Sequence, residues 1–102
     1  MEEVKVLQKE QGGLQLALSG DIDLGNAETF YEAVMAEYRS CPANVTFDCR
    51  ELNFIDSTTL GTFVKILKGV KSDGYGMKLV NLQPKIKKLF LICSLDSVME
   101  IA

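Results

Sequence analysis

The stretch from Leu52 to Val70 constrains the fold of this chain most, because an apolar run passes there directly into a helical pattern. The apolar run ends in Phe54-Ile55, and an acid and three hydroxyl residues follow at positions 56–59. Apolar residues then recur at the i, i+3, i+4, i+7 spacing that is typical of an amphipathic helix. They are Leu60, Phe63, Val64, Leu67 and Val70. The acid and the hydroxyls therefore stand where a helix begins.

Ser57 has two chemical interpretations at this junction. Its side-chain oxygen can accept a hydrogen bond from a free backbone N–H of the first helical turn, which is the role of an N-cap. A helix N-terminus also accommodates added negative charge, because its free N–H groups and its dipole face outward. Ser57 is thus either a plain cap or an exposed phosphate acceptor, and the spacing alone favours the cap.

Composition argues against several classes of function. The 102 residues include 14 acidic and 11 basic ones, a net charge of −3 that disfavours nucleic acid as the main partner. The chain has no histidine, so it lacks the commonest general base and the commonest metal ligand. We expect no cofactor and no metal. An enzyme is not predicted, since the acid and hydroxyl cluster has no base to activate it.

The three cysteines and the N-terminus indicate the compartment. Cys41, Cys49 and Cys93 are scattered and odd in number, which is typical of reduced thiols in a cytoplasmic protein. Cys49 in an apolar strand and Cys93 on an apolar helix face are predicted to lie in the core. The first residues lack the apolar region of a signal peptide, and no apolar run approaches membrane-spanning length. We expect a cytoplasmic location without membrane insertion.

Strand and helix patterns alternate along the chain. Alternating apolar residues on both sides of Gly12-Gly13 predict an N-terminal β-hairpin, whose second strand closes in a turn that holds Asp21 and Asp23. A helix follows to Arg39, with Asp23 or Asn26 as its cap. Its predicted apolar face comprises Ala27, Phe30, Val34 and Tyr38, widened by Tyr31 and Met35.

The second half of the chain repeats the alternation. Strands are predicted at 44–49 and 77–82, helices from 57 to about 71 and from Pro84, and a possible last strand within 95–101. Strands separated by helices imply right-handed crossovers and parallel pairing. We therefore expect one α/β domain over residues 1–102. Its central sheet is mixed and mostly parallel, with four to five strands, an N-terminal hairpin and about three to four helices.

Two motifs stand immediately before the first two predicted helices. The first is Gly20-Asp21-Ile22-Asp23-Leu24, and the second is Phe54-Ile55-Asp56-Ser57-Thr58-Thr59-Leu60-Gly61. In this order and at this spacing they resemble the two signatures of the STAS domain. The resemblance covers nearly the whole chain and is strongest to the bacterial stand-alone anti-sigma factor antagonists, also called anti-anti-sigma factors.

The resemblance implies a regulatory function through protein–protein interaction. In that family, the serine directly after the aspartate is phosphorylated by a partner that is both an anti-sigma factor and an ATP-dependent kinase. The unmodified antagonist binds this partner and frees the sigma factor, and a phosphatase reverses the modification. Carried onto this sequence, the resemblance makes Ser57 the acceptor, with Thr58 as the less favoured hydroxyl.

The resemblance also implies a partner-binding surface around the acceptor. It comprises Asp21, Asp23, Asp56, Ser57, Thr58, Thr59 and Gly61. Thr59 replaces a glycine that the family usually has, and its β-branched side chain adds bulk where a partner approaches. Gly61 has a structural interpretation as well, as a small residue that lets the helix pack closely on the sheet. An alternative function is that of a STAS subunit that docks an ATPase or a signalling scaffold in a larger complex without being phosphorylated.

Overall fold

The computed structural model describes residues 1–102 and contains five strands and three α-helices. The strands are β1 (Val4–Glu10), β2 (Gly12–Ile22), β3 (Ala43–Ile55), β4 (Met77–Val80) and β5 (Glu100–Ile101). The helices are α1 (Ala27–Ser40), α2 (Ser57–Ser72) and α3 (Pro84–Ile92), with a 3₁₀ turn at Leu95–Ser97. This order confirms the predicted α/β architecture. None of the helices is long and apolar enough to cross a membrane.

The five strands form one mixed sheet in the order β1-β2-β3-β4-β5. β1 runs antiparallel to β2, as the predicted hairpin requires, and the other neighbouring pairs are parallel. A bulge between Val6 and Gln8 interrupts the pairing of β1. Because strand order follows chain order, right-handed crossovers place all three helices on the same face of the sheet. The opposite face carries no helix.

Four phenylalanines connect the helices to the sheet at the centre of the core. Phe63 of α2 makes edge-on ring contacts with Phe30 of α1, Phe47 of β3 and Phe90 of α3, at centroid distances of 5.3, 5.5 and 5.4 Å. All four side chains are fully buried. Edge-to-face aromatic pairs add about 0.5–1.5 kcal/mol each beyond the burial of area. They fix α2, and with it the direction of its N-terminus, relative to the sheet.

The predicted apolar faces of the helices are largely confirmed. The buried residues of α1 are Ala27, Phe30, Val34, Met35 and Tyr38. In α2, Phe63, Leu67 and Val70 are buried as predicted, while Leu60 and Val64 are only partly buried. Helix α2 also buries Ile66 and Thr59, which the spacing did not indicate.

Both long strands extend further than their patterns suggested. β2 continues to Ile22, so Asp21 lies within a strand and the predicted turn at this position is wrong. β3 continues to Ile55, through residues that the sequence left between a strand and a helix. Cα pairing runs to the very ends of the two strands, with Asp21 opposite Phe54 and Ile22 opposite Ile55. The backbone hydrogen bonds of the parallel ladder explain this extension, because they do not depend on side-chain alternation.

The C-terminal part of the chain departs most from the predictions. Residues 95–101 form a 3₁₀ turn and a two-residue strand rather than one strand. Cys93 is exposed, because α3 ends at Ile92 and the helical periodicity that placed this thiol in the core does not continue. Cys49 is buried as predicted, and its burial raises the pKa of the thiol to about 12. A thiol with this pKa is not a nucleophile at neutral pH.

Candidate functional site

The two sequence motifs meet at one end of the sheet, where the neighbouring parallel strands β2 and β3 terminate. The end-to-end pairing of Ile22 with Ile55 brings the loop at 23–26 beside the N-terminus of α2. In open α/β sheets, ligands and partners bind preferentially beyond the carboxyl ends of the parallel strands. The candidate site is therefore built from these two connections.

Asp56, and not Ser57, is the N-cap of α2. Its Oδ1 atom accepts a hydrogen bond from the backbone N–H of Thr59 at 3.0 Å. The Thr59 hydroxyl in turn accepts from the backbone N–H of Asp56 at 3.5 Å, which completes a capping box. The prediction that Ser57 caps the helix is wrong by one residue, because an ionised carboxylate is the stronger acceptor at the positive end of a helix dipole.

The second carboxylate oxygen of Asp56 holds the neighbouring loop. Asp56 Oδ2 accepts from the backbone N–H of Leu24 at 2.9 Å, across 32 residues of sequence. The N–H of Thr59, followed by that of Leu24, holds the pKa of the Asp56 carboxyl below its ordinary value. One side chain thus connects the loop before α1 to the start of α2. Asp56 acts in the site as a positioning residue.

The loop at 23–26 is also held from within. Asp23 Oδ1 accepts from the N–H of Gly25 at 2.9 Å, and Asn26 Oδ1 accepts from the N–H of Asp23 at 2.8 Å. Asn26 Nδ2 donates to the carbonyl of Asp21 at 2.9 Å. Asn26 occupies the N-cap position of α1, but its side chain makes no capping bond there. The prediction of Asn26 as one candidate cap is thus right in position, but neither Asn26 nor Asp23 makes a side-chain capping bond, because both side chains stabilise the loop instead.

Thr59 lies entirely inside the protein. Its side chain has no exposed surface, and its hydroxyl donates to the carbonyl of Ile22 at the end of β2 and lies 3.1 Å from Asp56 Oδ1. The expectation that Thr59 adds bulk on the partner side is therefore wrong. The hydroxyl supplies a donor to a buried carbonyl, a bond that a glycine at this position could not make.

Three motif residues remain accessible at the start of α2. Ser57 is the first residue of the helix, Thr58 is the second, and both are exposed. Gly61 is exposed too, and a Cβ added there would meet no atom within 4 Å. The interpretation of Gly61 as a close-packing residue is therefore wrong. The glycine of α2 that packs closely against another element is Gly69, where an added Cβ would lie 3.3 Å from Cε of Met35.

Two exposed apolar side chains adjoin Ser57, and neither was predicted as part of the site. Leu24 is 75% exposed and Phe54 is 49% exposed. Strand alternation predicts the exposure of Phe54, because Ile55 points into the core and neighbouring residues of a strand face opposite sides. Leu24 had no such local signal. We name the exposed set around the acceptor the docking surface. It comprises Asp21, Leu24, Phe54, Ser57 and Thr58.

The site carries no arrangement typical of a metal centre. Its acidic side chains, Asp21, Asp23 and Asp56, belong to no group of three His, Cys, Asp or Glu residues that could hold a metal ion. Asp23 and Asp56 accept backbone hydrogen bonds in the loop and at the helix start. What the arrangement offers chemically is two exposed hydroxyls, of Ser57 and Thr58, near two exposed apolar side chains.

Comparisons with known proteins agree with this geometry. The sequence model of the STAS domain family matches residues 5–102 of this chain. An anti-sigma-B factor antagonist of Bacillus subtilis (strain 168) is 28% identical over 102 residues, which cover 94% of this chain and 87% of the relative.

Solved structures share the fold. A Thermotoga maritima protein described as a candidate anti-sigma factor antagonist superposes with a TM-score of 0.86 at 24% identity, over 96% of this chain and 84% of that one. The phosphorylated form of the Bacillus cell fate determinant SpoIIAA gives a TM-score of 0.74 at 17% identity, over 97% of this chain and 90% of that one. At these identities the likeness concerns the fold alone.

The buried hydroxyl of Thr59 is testable by an isosteric change. Thr59→Val should lower the free energy of unfolding by about 1–3 kcal/mol, because the buried carbonyl of Ile22 loses its donor. Urea denaturation followed by circular dichroism measures this loss. Thr58→Val, the same change at an exposed neighbour, should alter the free energy by no more than about 0.5 kcal/mol. Equal losses of stability in the two variants would contradict the hydrogen bond from Thr59 to the carbonyl of Ile22.

The lowered pKa of Asp56 predicts a specific dependence of stability on pH. Its carboxylate contributes stability fully above the ordinary pKa of 3.8, and this contribution disappears as pH falls through the lower pKa of the folded state. We expect Asp56→Asn to unfold at lower urea concentration than the native chain at pH 7. The difference between the two midpoints should shrink as pH falls below 3.8 and through the lower pKa of the folded state, where the aspartate becomes neutral like the asparagine. A difference that stays constant down to the acid range would refute the role of the ionised carboxylate.

Proposed function

This chain belongs to the STAS domain family, and we propose that it acts as an anti-sigma factor antagonist that is switched off by phosphorylation of Ser57. In this role, the unmodified chain binds an anti-sigma factor that is also a serine kinase, so that a sigma factor is released. A phosphatase restores the active form. The anti-sigma-B factor antagonist of Bacillus subtilis supports the general role. The role is regulatory rather than enzymatic, and we place it in the bacterial cytoplasm.

The accessibility of Ser57 is the observation that carries the proposal. Asp56 takes the capping position and Thr59 takes the buried hydrogen bond, so neither task falls to Ser57. Its side chain is exposed at the first position of α2. A kinase acting on it needs no local unfolding of the helix to reach the hydroxyl. Thr58, the second exposed hydroxyl, is the less favoured acceptor.

The surroundings of Ser57 suit recognition by a protein. Leu24 and Phe54 present exposed apolar area, which a partner can bury. The bond from Leu24 to Asp56 holds the loop in one conformation before binding, which lowers the ordering cost of association. Phe54 also borders a cleft of about 200 Å³ against α3, lined in addition by Lys85 and Leu89. Apolar anchors with a recess beside them are features of binding hot spots.

The switch acts on docking rather than on the fold. A phosphate on Ser57 adds about −1.5 to −2 charges at neutral pH. At a helix N-terminus this charge is stabilised by roughly 0.3–1 kcal/mol, while the adjacent Asp56 and the nearby Asp21 repel it. These opposing effects are small. An unpaired charge within an interface, by contrast, costs about 2–5 kcal/mol, which corresponds to a loss in affinity of about 30-fold to several thousand-fold.

The acceptor is tested with the anti-sigma kinase and labelled ATP. The native chain and Thr58→Ala should incorporate label, and Ser57→Ala should not, because only the serine directly after Asp56 is the proposed acceptor. Intact-mass spectrometry and a phosphopeptide map identify the modified residue. Loss of label in Thr58→Ala alone would move the acceptor by one residue.

The docking block is tested with Ser57→Asp in the same assay system. This variant should bind the kinase at least about 10-fold more weakly than the native chain, with unchanged backbone chemical shifts away from the substitution. A rearranged backbone would refute a pure docking block. Recovery of a transporter ATPase or a scaffold protein in a pull-down, without an anti-sigma kinase, would favour the alternative of a non-phosphorylated subunit.

The contribution of the exposed loop is predicted from Leu24. Leu24→Ala should weaken binding of the anti-sigma factor by about 5-fold or more, because an exposed apolar anchor is removed from the docking surface. Because the side chain is 75% exposed, unfolding should change by no more than about 0.5 kcal/mol. Isothermal titration measures the affinity. The matched control is Leu91→Ala, an apolar residue of α3 that is 44% exposed. If both variants bind equally, the loop is not part of the interface.

A further inference from the structure

A cleft lies beside the C-terminal half of α2, at the other end of the helix from Ser57. It has a volume of about 490 Å³ and is bounded by α2 on one side and by the segment after the 3₁₀ turn on the other. At a rise of 1.5 Å per residue, the lining on α2 begins roughly 10 Å along the helix from Ser57, at Val64, and ends roughly 22 Å from it, at Ser72. The cleft is therefore separate from the docking surface. Its lining comprises Val64, Leu67, Lys68, Lys71, Ser72 and Val98.

The lining has an apolar centre and a basic margin. The partly buried Val64 contributes apolar surface from α2, and Val98, which is 42% exposed, contributes it from the opposite side, while Leu67 is only 4% exposed. Lys68 and Lys71 are exposed. The five lining residues of α2 follow the i, i+3, i+4, i+7, i+8 spacing of a single helix face, so the two lysines lie on the same face as the apolar contacts.

Neither lysine of the cleft has an acidic partner within the chain. The ion pairs of this chain are Lys9 with Glu37 at 3.3 Å and Lys78 with Glu100 at 3.8 Å. Lys68 and Lys71 take part in neither pair. The cleft is thus locally basic in a chain whose net charge is −3.

Three neighbouring charged groups, Lys65, Asp73 and Asp96, form no ion pair with Lys68 or Lys71. Lys65, on the same helix, lies over the ring of Tyr31 at 4.0 Å from its centroid. Asp73 accepts a hydrogen bond from the hydroxyl of Tyr38 at 2.7 Å. Asp96 lines an adjoining cleft of about 590 Å³ that also reaches Lys71, but it forms no ion pair. The positive charge of the cleft is therefore available to a partner.

We propose that this cleft binds an acidic amphipathic helix of a protein partner. Apolar residues on one face of that helix contact Val64 and Val98, and its flanking carboxylates pair with Lys68 and Lys71. The distance from Val64 to Ser72 along α2 is about 12 Å, which accommodates roughly two helical turns. None of the lining residues of the cleft belongs to the docking surface.

A peptide titration of the full chain tests the proposal. The probe is a synthetic helix of about 12 residues, roughly 18 Å long, with leucines at i, i+3, i+4 and i+7 and glutamates beside them. We expect saturable shifts of the backbone amides at 64–72 and at Val98 in ¹⁵N spectra. The affinity should fall with added salt, because charge attraction contributes to binding.

Charge variants decide whether the lysines carry the interaction. The pair Lys68→Glu and Lys71→Glu should weaken peptide binding at least about 10-fold, a change of about 1.4 kcal/mol. The milder pair Lys68→Gln and Lys71→Gln should weaken it less and guards against a folding defect. The matched control, Lys87→Glu with Lys88→Glu on α3, should bind as the native chain does.

Four results would overturn the proposal. They are an absence of saturable shifts, shifts centred on Ser57 and Leu24, undiminished binding by the Lys68 and Lys71 variants, and equal binding of a peptide in which lysines replace the glutamates.

Discussion

The carboxylate of Asp56 accepts hydrogen bonds from two segments that are far apart in sequence, and the geometry of the candidate site follows from this bridge. Oδ1 receives the N–H of Thr59 and Oδ2 receives that of Leu24. The bridge can form because β2 and β3 end in register and because the ring contacts of Phe63 orient α2. The packing of the core therefore positions the two segments that the ionised side chain of Asp56 connects at the surface.

Two of the four residues from Asp56 to Thr59 stabilise the fold, and the other two are exposed. Asp56 caps the helix, and Thr59 reaches the end of β2 through its hydroxyl. These two residues account for the local stability, which leaves Ser57 and Thr58 exposed on the first turn. Modification of an exposed hydroxyl on such a supported turn changes the charge of the surface without removing an interaction that the fold requires.

The sequence indicated the architecture and the location of the site, but not the contacts within it. Local periodicity is sufficient for most of the buried face of α1 and for Phe63, Leu67 and Val70 of α2, since it reflects geometry within one element, but it does not indicate the burial of Ile66 and Thr59. The cap was misplaced by one residue because Asp and Ser are both good N-caps. The bonds from Thr59 to Ile22 and from Leu24 to Asp56 span 37 and 32 residues, so no local pattern encodes them. The exposure of Phe54, by contrast, follows from a local pattern, because strand alternation puts it on the opposite side from the buried Ile55.

The bulge in β1 has a consequence for how the protein behaves at high concentration. The outer edge of the sheet at β1 is interrupted between Val6 and Gln8 and carries Lys5 and Lys9, and the other edge, β5, is only two residues long. Irregular, charged or very short edge strands are poor templates for strand addition from a second molecule. At high concentration, such edges oppose the polymerisation of this chain into fibrils.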